Sequence, residues 1–300
     1  MRNHTISPLQ GTAAGLLACA IWSPAILAMN VIGAAFGPLR AVGLELGIAG
    51  IVLFLSSWIR GDLKGIFLHS YRCHLVCGSF WILNFTLSWL AVSFVHSSGE
   101  LLVTGLLNYL WPSLTLLLAI PILGKRSAWP LIPGLVAVFI GLLCAKVATA
   151  PSGELRDAIT HLNPWAYSLA VLDALAWALY SNYSRKLSNP KGTSAVPAYM
   201  LVGSVLLLII SARIEAPSSP LVSQWALLIG WSLGSAIAYL FWDVGMRFGN
   251  VVTISTTSMF IPLLSTIITA AASGHGLTPT LVVAAALVVA GSALCRRGVR

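Results

Sequence analysis

Ten predominantly apolar runs follow one another along this chain with little between them: 11–33, 38–59, 73–95, 99–123, 130–149, 163–184, 194–212, 222–246, 251–273 and 278–295. A helix needs about 20 such residues to cross the hydrocarbon core of a bilayer. The connecting loops are too short for a soluble domain, which takes at least about 40–60 residues to bury a core. Only 8% of the residues are charged, against roughly 25% in a soluble domain. The runs therefore predict an all-α integral membrane protein of ten transmembrane helices. The first run exceeds twenty residues and leads directly into another, so it reads as a retained span rather than a cleaved signal.

The net charge of +9 is spread by loop and is not gathered into a nucleic-acid-binding patch. With the N-terminus inside, Arg2, Arg60, Lys64, Arg72, Lys125, Arg126, Arg185, Lys186, Lys191, Arg247, Arg296, Arg297 and Arg300 face the cytoplasm, and Arg40, Lys146, Arg156 and Arg213 do not. That asymmetry over short loops is the positive-inside pattern of an even number of spans with both termini cytoplasmic. It makes lipid the expected surroundings and excludes nucleic acid as a partner. Cys19, Cys73, Cys77, Cys144 and Cys295 show no zinc or disulfide spacing and read as small packing residues.

The chain repeats itself. An offset of 150 places Trp89 on Tyr239, Leu90 on Leu240, Gly99 on Gly249, Pro112 on Pro262, Leu114 on Leu264, Gly124 on Gly274 and Gly141 on Gly291; an offset of 155 places Leu17 on Leu172 and Trp22 on Trp177. Two five-helix repeats follow, 1–150 and 151–300. Five is odd, so the second enters the membrane inverted, the plan by which many transporters expose a midplane site to each side in turn.

Polar and aromatic residues share helix faces. Thr104, Asn108, Trp111 and Thr115 stack on the fourth span, and Asp173, Trp177, Tyr180 and Ser184 on the sixth. Trp81, Asn84 and Ser88 do so on the third, as do Ser232, Ser235, Tyr239 and Trp242 on the eighth. Pro112 and Pro262 each deny a hydrogen bond to the carbonyl four residues earlier, which reads either as a structural kink or as a cavity wall. Trp22, Tyr109, Trp111 and Trp177 lie deep in their spans, on the pathway or in helix packing. Trp58, Trp129, Trp165 and Trp225 lie at span ends, as interfacial belts do.

Three acids fall inside spans, each costing roughly 2.5–3.5 kcal/mol at a helix centre unless partnered. Asp173 is the candidate proton or ammonium site, with a structural, protonated role as the alternative. Glu45 is expected to pair with Arg40, and Asp243 to meet water near the cytoplasmic end. Gly43 to Gly47 and Gly230 to Gly234 read as close helix contacts. No phosphate-binding loop is present, and His96 in HSSGE has no acid to orient it; neither an enzyme, a cofactor nor a metal site is expected.

The AIWSP run at 20–24, NYLWPSLT at 108–115 and SMFIPLLS at 258–265 resemble the drug/metabolite transporter superfamily with two EamA-type halves. NYLWPSLT, AWALYS at 176–181 and WDVGMRFGN at 242–250 are most similar to its bacterial aromatic amino-acid exporters. The resemblance implies spans one, three, four, six, eight and nine around a central cavity, with five and ten outside. A glutamate common after the glycine ending the fourth helix is Lys125 here, and His275 in the second half. The resulting expectation is a secondary transporter or facilitator of the bacterial inner membrane, exporting aromatic and other apolar amino acids by alternating access without an obligatory protein partner. Trp22, Asn84, Ser88, Thr104, Asn108, Tyr109, Trp111, Pro112, Trp177, Tyr180 and Tyr239 would bind substrate. Trp111 and Trp177 would take its ring, and Asn108, Tyr109 and the carbonyl freed by Pro112 its charged groups. The alternatives are an exporter of other metabolites or drugs, and a receptor or scaffold without flux.

Overall fold

The computed structural model describes residues 6–149, 163–264 and 279–299. Thirteen helices are named within them: α1 Pro8–Ile21, α2 Ala25–Phe36, α3 Pro38–Ile59, α4 Leu63–Ile66, α5 Tyr71–Ser93, α6 Ser98–Asn108, α7 Trp111–Leu123, α8 Leu131–Thr149, α9 Pro164–Leu187, α10 Val196–Ile214, α11 Val222–Phe248, α12 Val251–Ser258 and α13 Pro279–Gly298. No β-strand occurs among the described residues, beyond one isolated bridge between Ser127 and Val299. Pairs α1–α2 and α6–α7 make the first and fourth spans, and α12 begins the ninth. The boundary at residue 150, with Gly274 and His275, lies outside the described residues.

Five stretches are long and apolar enough to cross a bilayer: Pro38–Ile59, Tyr71–Ser93, Val103–Leu123, Val196–Ile214 and Val222–Phe248. The first span falls short because it is broken, and α9 because its polar face dilutes it; of the ninth, only Val251–Leu264 lies within the described residues. Side-chain caps start several helices, among them Ser7 on the N–H of Gln10, Ser70 on Cys73, Asn163 on Ala166 and Asn250 on Thr253.

Packing pairs each half with the other. The first span lies on the eighth, the third on the sixth, the second on the seventh and the fifth on the tenth. The last two pairs join matching members of the repeats, and glycines give their direction. A Cβ at Gly43, Gly47 or Gly50 would strike Leu208, Ser204 or Met200 within 2.9 Å, so α3 and α10 run antiparallel. The same holds for α8 and α13, where Gly134 abuts Cys295 and Gly141 abuts Ala284. Matching helices that run antiparallel make the halves inverted. With no hydrophobic drive between helices in lipid, close backbone approach at glycine supplies the attraction. Gly230 is different: nothing lies within 4 Å of its Cβ position, so the expected Gly230–Gly234 contact is not made there.

Glu45 does not pair with Arg40. Five residues apart, they point about 140° away from each other around a helix. The Glu215 carboxylate instead accepts the N–H groups of Leu39 and Arg40 at 2.7 and 2.9 Å, an anion on a helix N-terminus. The Arg40 guanidinium donates to the carbonyls of Phe36, Ala216 and Glu215 and to the Ser218 hydroxyl. Trp58, Trp129 and Trp165 are 64, 81 and 69% exposed, facing outward as belt residues do. Among the described residues no group of histidine, cysteine and acid side chains could hold a metal ion.

Candidate functional site

Three spans are broken near their middles. The fourth ends α6 at Asn108 and restarts at Trp111, with Pro112 in the first turn of α7. The ninth ends α12 at Ser258 and resumes at Ile261, next to Pro262. These breaks lie 150 residues apart, at the repeat offset. Pro112 thus opens a new helix, where its missing N–H costs nothing, and does not bend a continuous one. The first span breaks at Trp22–Pro24; its mate α9 carries no proline there and runs unbroken.

The breaks converge on a cavity of about 70 Å³ lined by Trp22, Ala25, Met29, Asn84, Phe85, Ser88, Asn108, Tyr109, Trp111, Asp173, Ala174, Trp177, Tyr239 and Ile261. Its walls come from spans one, three, four, six, eight and nine, and α8 and α13 pack on each other outside it. Nine of the residues singled out in the sequence meet here: Trp22, Asn84, Ser88, Asn108, Tyr109, Trp111, Asp173, Trp177 and Tyr239. Thr104, Pro112 and Tyr180 do not line it. Thr104 and Tyr180 are buried against neighbouring helices, and Pro112 is buried at the start of α7. Tyr109 reaches the wall because the helix break abolishes the continuous stripe that set it to one side. Ala25, Met29, Phe85, Ala174 and Ile261 were not anticipated, since nothing in their apolar character separates them from lipid-facing neighbours.

Asp173 anchors the polar wall. Buried ten residues into α9, it accepts the side-chain amides of Asn84 on α5 and Asn108 at the end of α6. Among the described residues the ion pairs are Arg60–Asp62 and Arg247–Asp243, so no basic side chain balances Asp173. Facing it is an aromatic cluster. Trp22 meets Trp177 edge-on at 5.3 Å between centroids and Tyr239 at 4.7 Å. Trp111 meets Trp177 at 6.4 Å and Trp242 at 5.1 Å. The Trp22 indole N–H is buried without a partner, a donor on the wall opposite in kind to the Asp173 acceptor. Ser88 donates to the Met29 sulfur at 3.6 Å, closing α2 onto α5.

Two clefts lie at opposite ends of these helices. At the end where α1 begins, one of about 660 Å³ is lined by Pro8, Ile122, Leu123, Lys125, Arg185, Lys186, Phe248, Gly249, Asn250 and Val251. At the other end, one of about 240 Å³ lies between α2 and α5, reaching Trp89 and sharing Met29 with the central cavity.

Beside the first cleft the halves are tied by polar bonds. Arg247 donates to the carbonyls of Asn189 and Gly192 and pairs with Asp243 at 3.4 Å; Asp243 is buried here, not bathed in water. His69, between α4 and α5, accepts the Asn189 N–H on Nδ1 at 3.0 Å and donates from Nε2 to the Thr193 carbonyl at 2.7 Å. An N–H donor on one side and a carbonyl on the other select the neutral Nε2–H tautomer. Burial holds His69 below its ordinary value, and nearby Arg247 and His74 press the same way against the pull of the Thr193 bond and Asp243.

The EamA-like transporter family model matches residues 9–146 and 164–297. The chain is 27% identical over 304 residues to the aromatic amino acid exporter YddG of Escherichia coli K12, covering 96% of this chain and 99% of that one. It is 26% identical over 294 residues to the YddG of Salmonella typhimurium (95% and 96% covered) and 27% over 292 residues to that of Ancylobacter novellus (96% and 98%). A crystal structure superposes with a TM-score of 0.78 at 23% identity over 97% of this chain and 98% of that one, a likeness of fold. Two family matches on a bundle of ten apolar spans have one reading: the chain belongs to the EamA-like transporter family, as a multi-pass membrane protein built from two such repeats.

Proposed function

We propose that this protein exports aromatic amino acids, and other apolar ones less well, through the central cavity by alternating access. The observation that carries the reading is the cavity wall itself: an uncompensated buried carboxylate facing a cage of indole rings. A zwitterion leaving water must exchange hydration for fixed dipoles. Its ammonium group would bind Asp173, held in place by Asn84 and Asn108, and its carboxylate would accept from the Trp22 indole. Its ring would lie among Trp22, Trp111, Trp177 and Tyr239, where aromatic pairs add about 0.5–1.5 kcal/mol each beyond burial. The names of the relatives support the same cargo.

A cavity of about 70 Å³ has room for a few waters, at roughly 10–15 Å³ for each. Loading therefore needs the rings to part, and the half-helices at Trp22–Pro24, Asn108–Trp111 and Ser258–Ile261 are where the spans can pivot. The clefts at the two ends are the entry and exit. Positive-inside charge assigns the cleft with Lys125, Arg185 and Lys186 to the cytoplasmic face of a bacterial inner membrane, with both termini on that side. Proteoliposomes holding purified protein should show saturable flux of labelled tryptophan and phenylalanine. Flux of other metabolites without these would replace the cargo, and no flux of any small solute would point to a receptor or scaffold.

A further inference from the structure

Of the acids inside spans, Asp173 accepts two amides and Asp243 meets Arg247 and Ser184. Glu45 differs. It is 1% exposed on α3, and neither of its carboxyl oxygens closes a hydrogen bond. Around it stand the Ser235 hydroxyl and the Trp231 indole of α11 and the Trp89 indole of α5. These three donors face the carboxyl group, yet in this conformation each is itself buried without a bonded partner. Packing alone does not explain four unsatisfied polar groups around one point, because apolar side chains would fill it without the desolvation cost.

The chemistry of the ring selects its ligand. Indole N–H groups only donate, so Glu45 and Ser235 are the only members of this ring with side-chain oxygen lone pairs. Two oxygen-bearing residues are too few for a hard cation, which takes about six or more oxygens. A proton fits, alone or with a bridging water. As a carboxylate Glu45 accepts from both α5 and α11; protonated, it loses an acceptor site and gains an O–H that Ser235 can take.

We propose that Glu45 is an exchangeable proton-binding site at the junction of the two halves, whose occupancy sets whether α3 is held to both α5 and α11 or chiefly to α11. On deprotonation the Glu45 O–H bond breaks, its electron pair stays on the carboxylate and the proton passes to water in the cleft that Trp89 lines. The two helices it holds carry Asn84, Phe85 and Ser88, and Tyr239, to the cavity wall, so the proton reaches the cavity through them. Tyr239 on α11 is the titratable group that feels the charge of Glu45, together with that of Asp173. Of the other elements on α3, α2 has no titratable residue, while α5 and α11 place theirs toward the Arg247 end (Tyr71, Arg72, Cys73, His74 and Cys77; Asp243 and Arg247). The α10 helix has Tyr199 and Arg213 near its two ends, and Arg40 is taken up by the Glu215 cap.

The site stands independently of the cargo, and so does its test. The full chain in nanodiscs, labelled with ¹⁵N at tryptophan, is titrated over roughly pH 5–9, where buried carboxyl groups are known to exchange. Trp89→Phe and Trp231→Phe identify the two indole signals. Both signals should move with one midpoint in the wild type and in Asp173→Asn, and stay still in Glu45→Gln. Signals that do not move in the wild type, or that still titrate in Glu45→Gln, overturn the proposal. Should Glu45→Gln fail to fold, Glu45→Asp must retain the titration with a displaced midpoint; a flat response overturns it equally. In proteoliposomes Glu45→Gln should lose the dependence of tryptophan flux on a pH gradient while exchange continues. Absent wild-type flux would count against the aromatic cargo and leave the indole titration to judge the site.

Discussion

Asp173 accepts the side-chain amide of Asn108, the last residue of α6, so the sixth span grips the fourth where the fourth breaks. The other carboxyl oxygen holds Asn84 on the third span. A single carboxylate thus gathers three spans of the two halves, and it is the ammonium anchor proposed above. Asp173→Asn would set three amides against one another and leave the substrate cation without a counter-charge. Hydrogen bonds to charged groups contribute about 1.5–3 kcal/mol, so tryptophan should bind roughly 10- to 150-fold more weakly. N-acetyl-tryptophan, which has no ammonium group, should lose much less. Equilibrium binding of both ligands decides it: equal losses would remove Asp173 from the substrate.

Pro112 stands in the first turn of α7, and the N–H it lacks would otherwise point toward the Asn108 carbonyl. Pro112→Ala restores that donor and allows α6 and α7 to join. Thermal stability should hold or rise, because an interior helical bond is gained, while tryptophan flux should fall severalfold as the half-helices lose their pivot. Melting temperature and initial efflux rate, measured on one preparation, test this. Unchanged flux would make the break a packing device.

His69 ties the α4–α5 loop to residues 189–193 as a neutral ring. Protonation would turn Nδ1 into a donor facing the Asn189 N–H, breaking a bond that contributes about 1 kcal/mol. Since its folded value lies below the ordinary 6.5, the stabilisation is complete above that pH and is lost as pH falls through the depressed folded value. Thermal melts should therefore show stability dropping on acidification in the wild type. His69→Gln should lose that acidic slope while melting lower than wild type at neutral pH. A slope that survives in the variant would assign it to another group.

Legibility in the sequence follows the range of each signal. The breaks at Asn108 and Ser258 could be read because proline removes a donor wherever it stands, and the 150-residue offset marks both. Pro24 carries the same signal within a run read as one continuous helix, so that break was missed. Asp173 and the ring-bearing faces were visible through helical spacing, which is local. Their partners were not: Glu215 reaches the start of α3 from 175 residues away, and spacing along one helix cannot show it. Met29, Phe85 and Ile261 look like any apolar residue until the packing places them on the cavity wall.

Trp177 touches Trp22, Trp111, Tyr180, Tyr239 and Trp242, which makes it the hub of the aromatic wall and raises the question of whether it packs helices or binds cargo. The two roles separate by substrate. A ring that stacks on the substrate contributes on the order of 1 kcal/mol to aromatic ligands, a fewfold to tenfold effect, and little to alanine or threonine. Removing a packing residue lowers the population of folded protein and costs every substrate alike, with a lower melting temperature. Trp111 is the sharper probe, since its contacts in the cluster are fewer, to Trp177 and Trp242. Trp111→Ala and Trp177→Ala should each reduce tryptophan and phenylalanine flux fewfold to tenfold while threonine and alanine flux changes less, with Trp177→Phe restoring most of the aromatic flux. Uniform loss across the four substrates, tracking a fall in melting temperature, would show that these indoles hold the bundle together and that the cargo is recognised elsewhere.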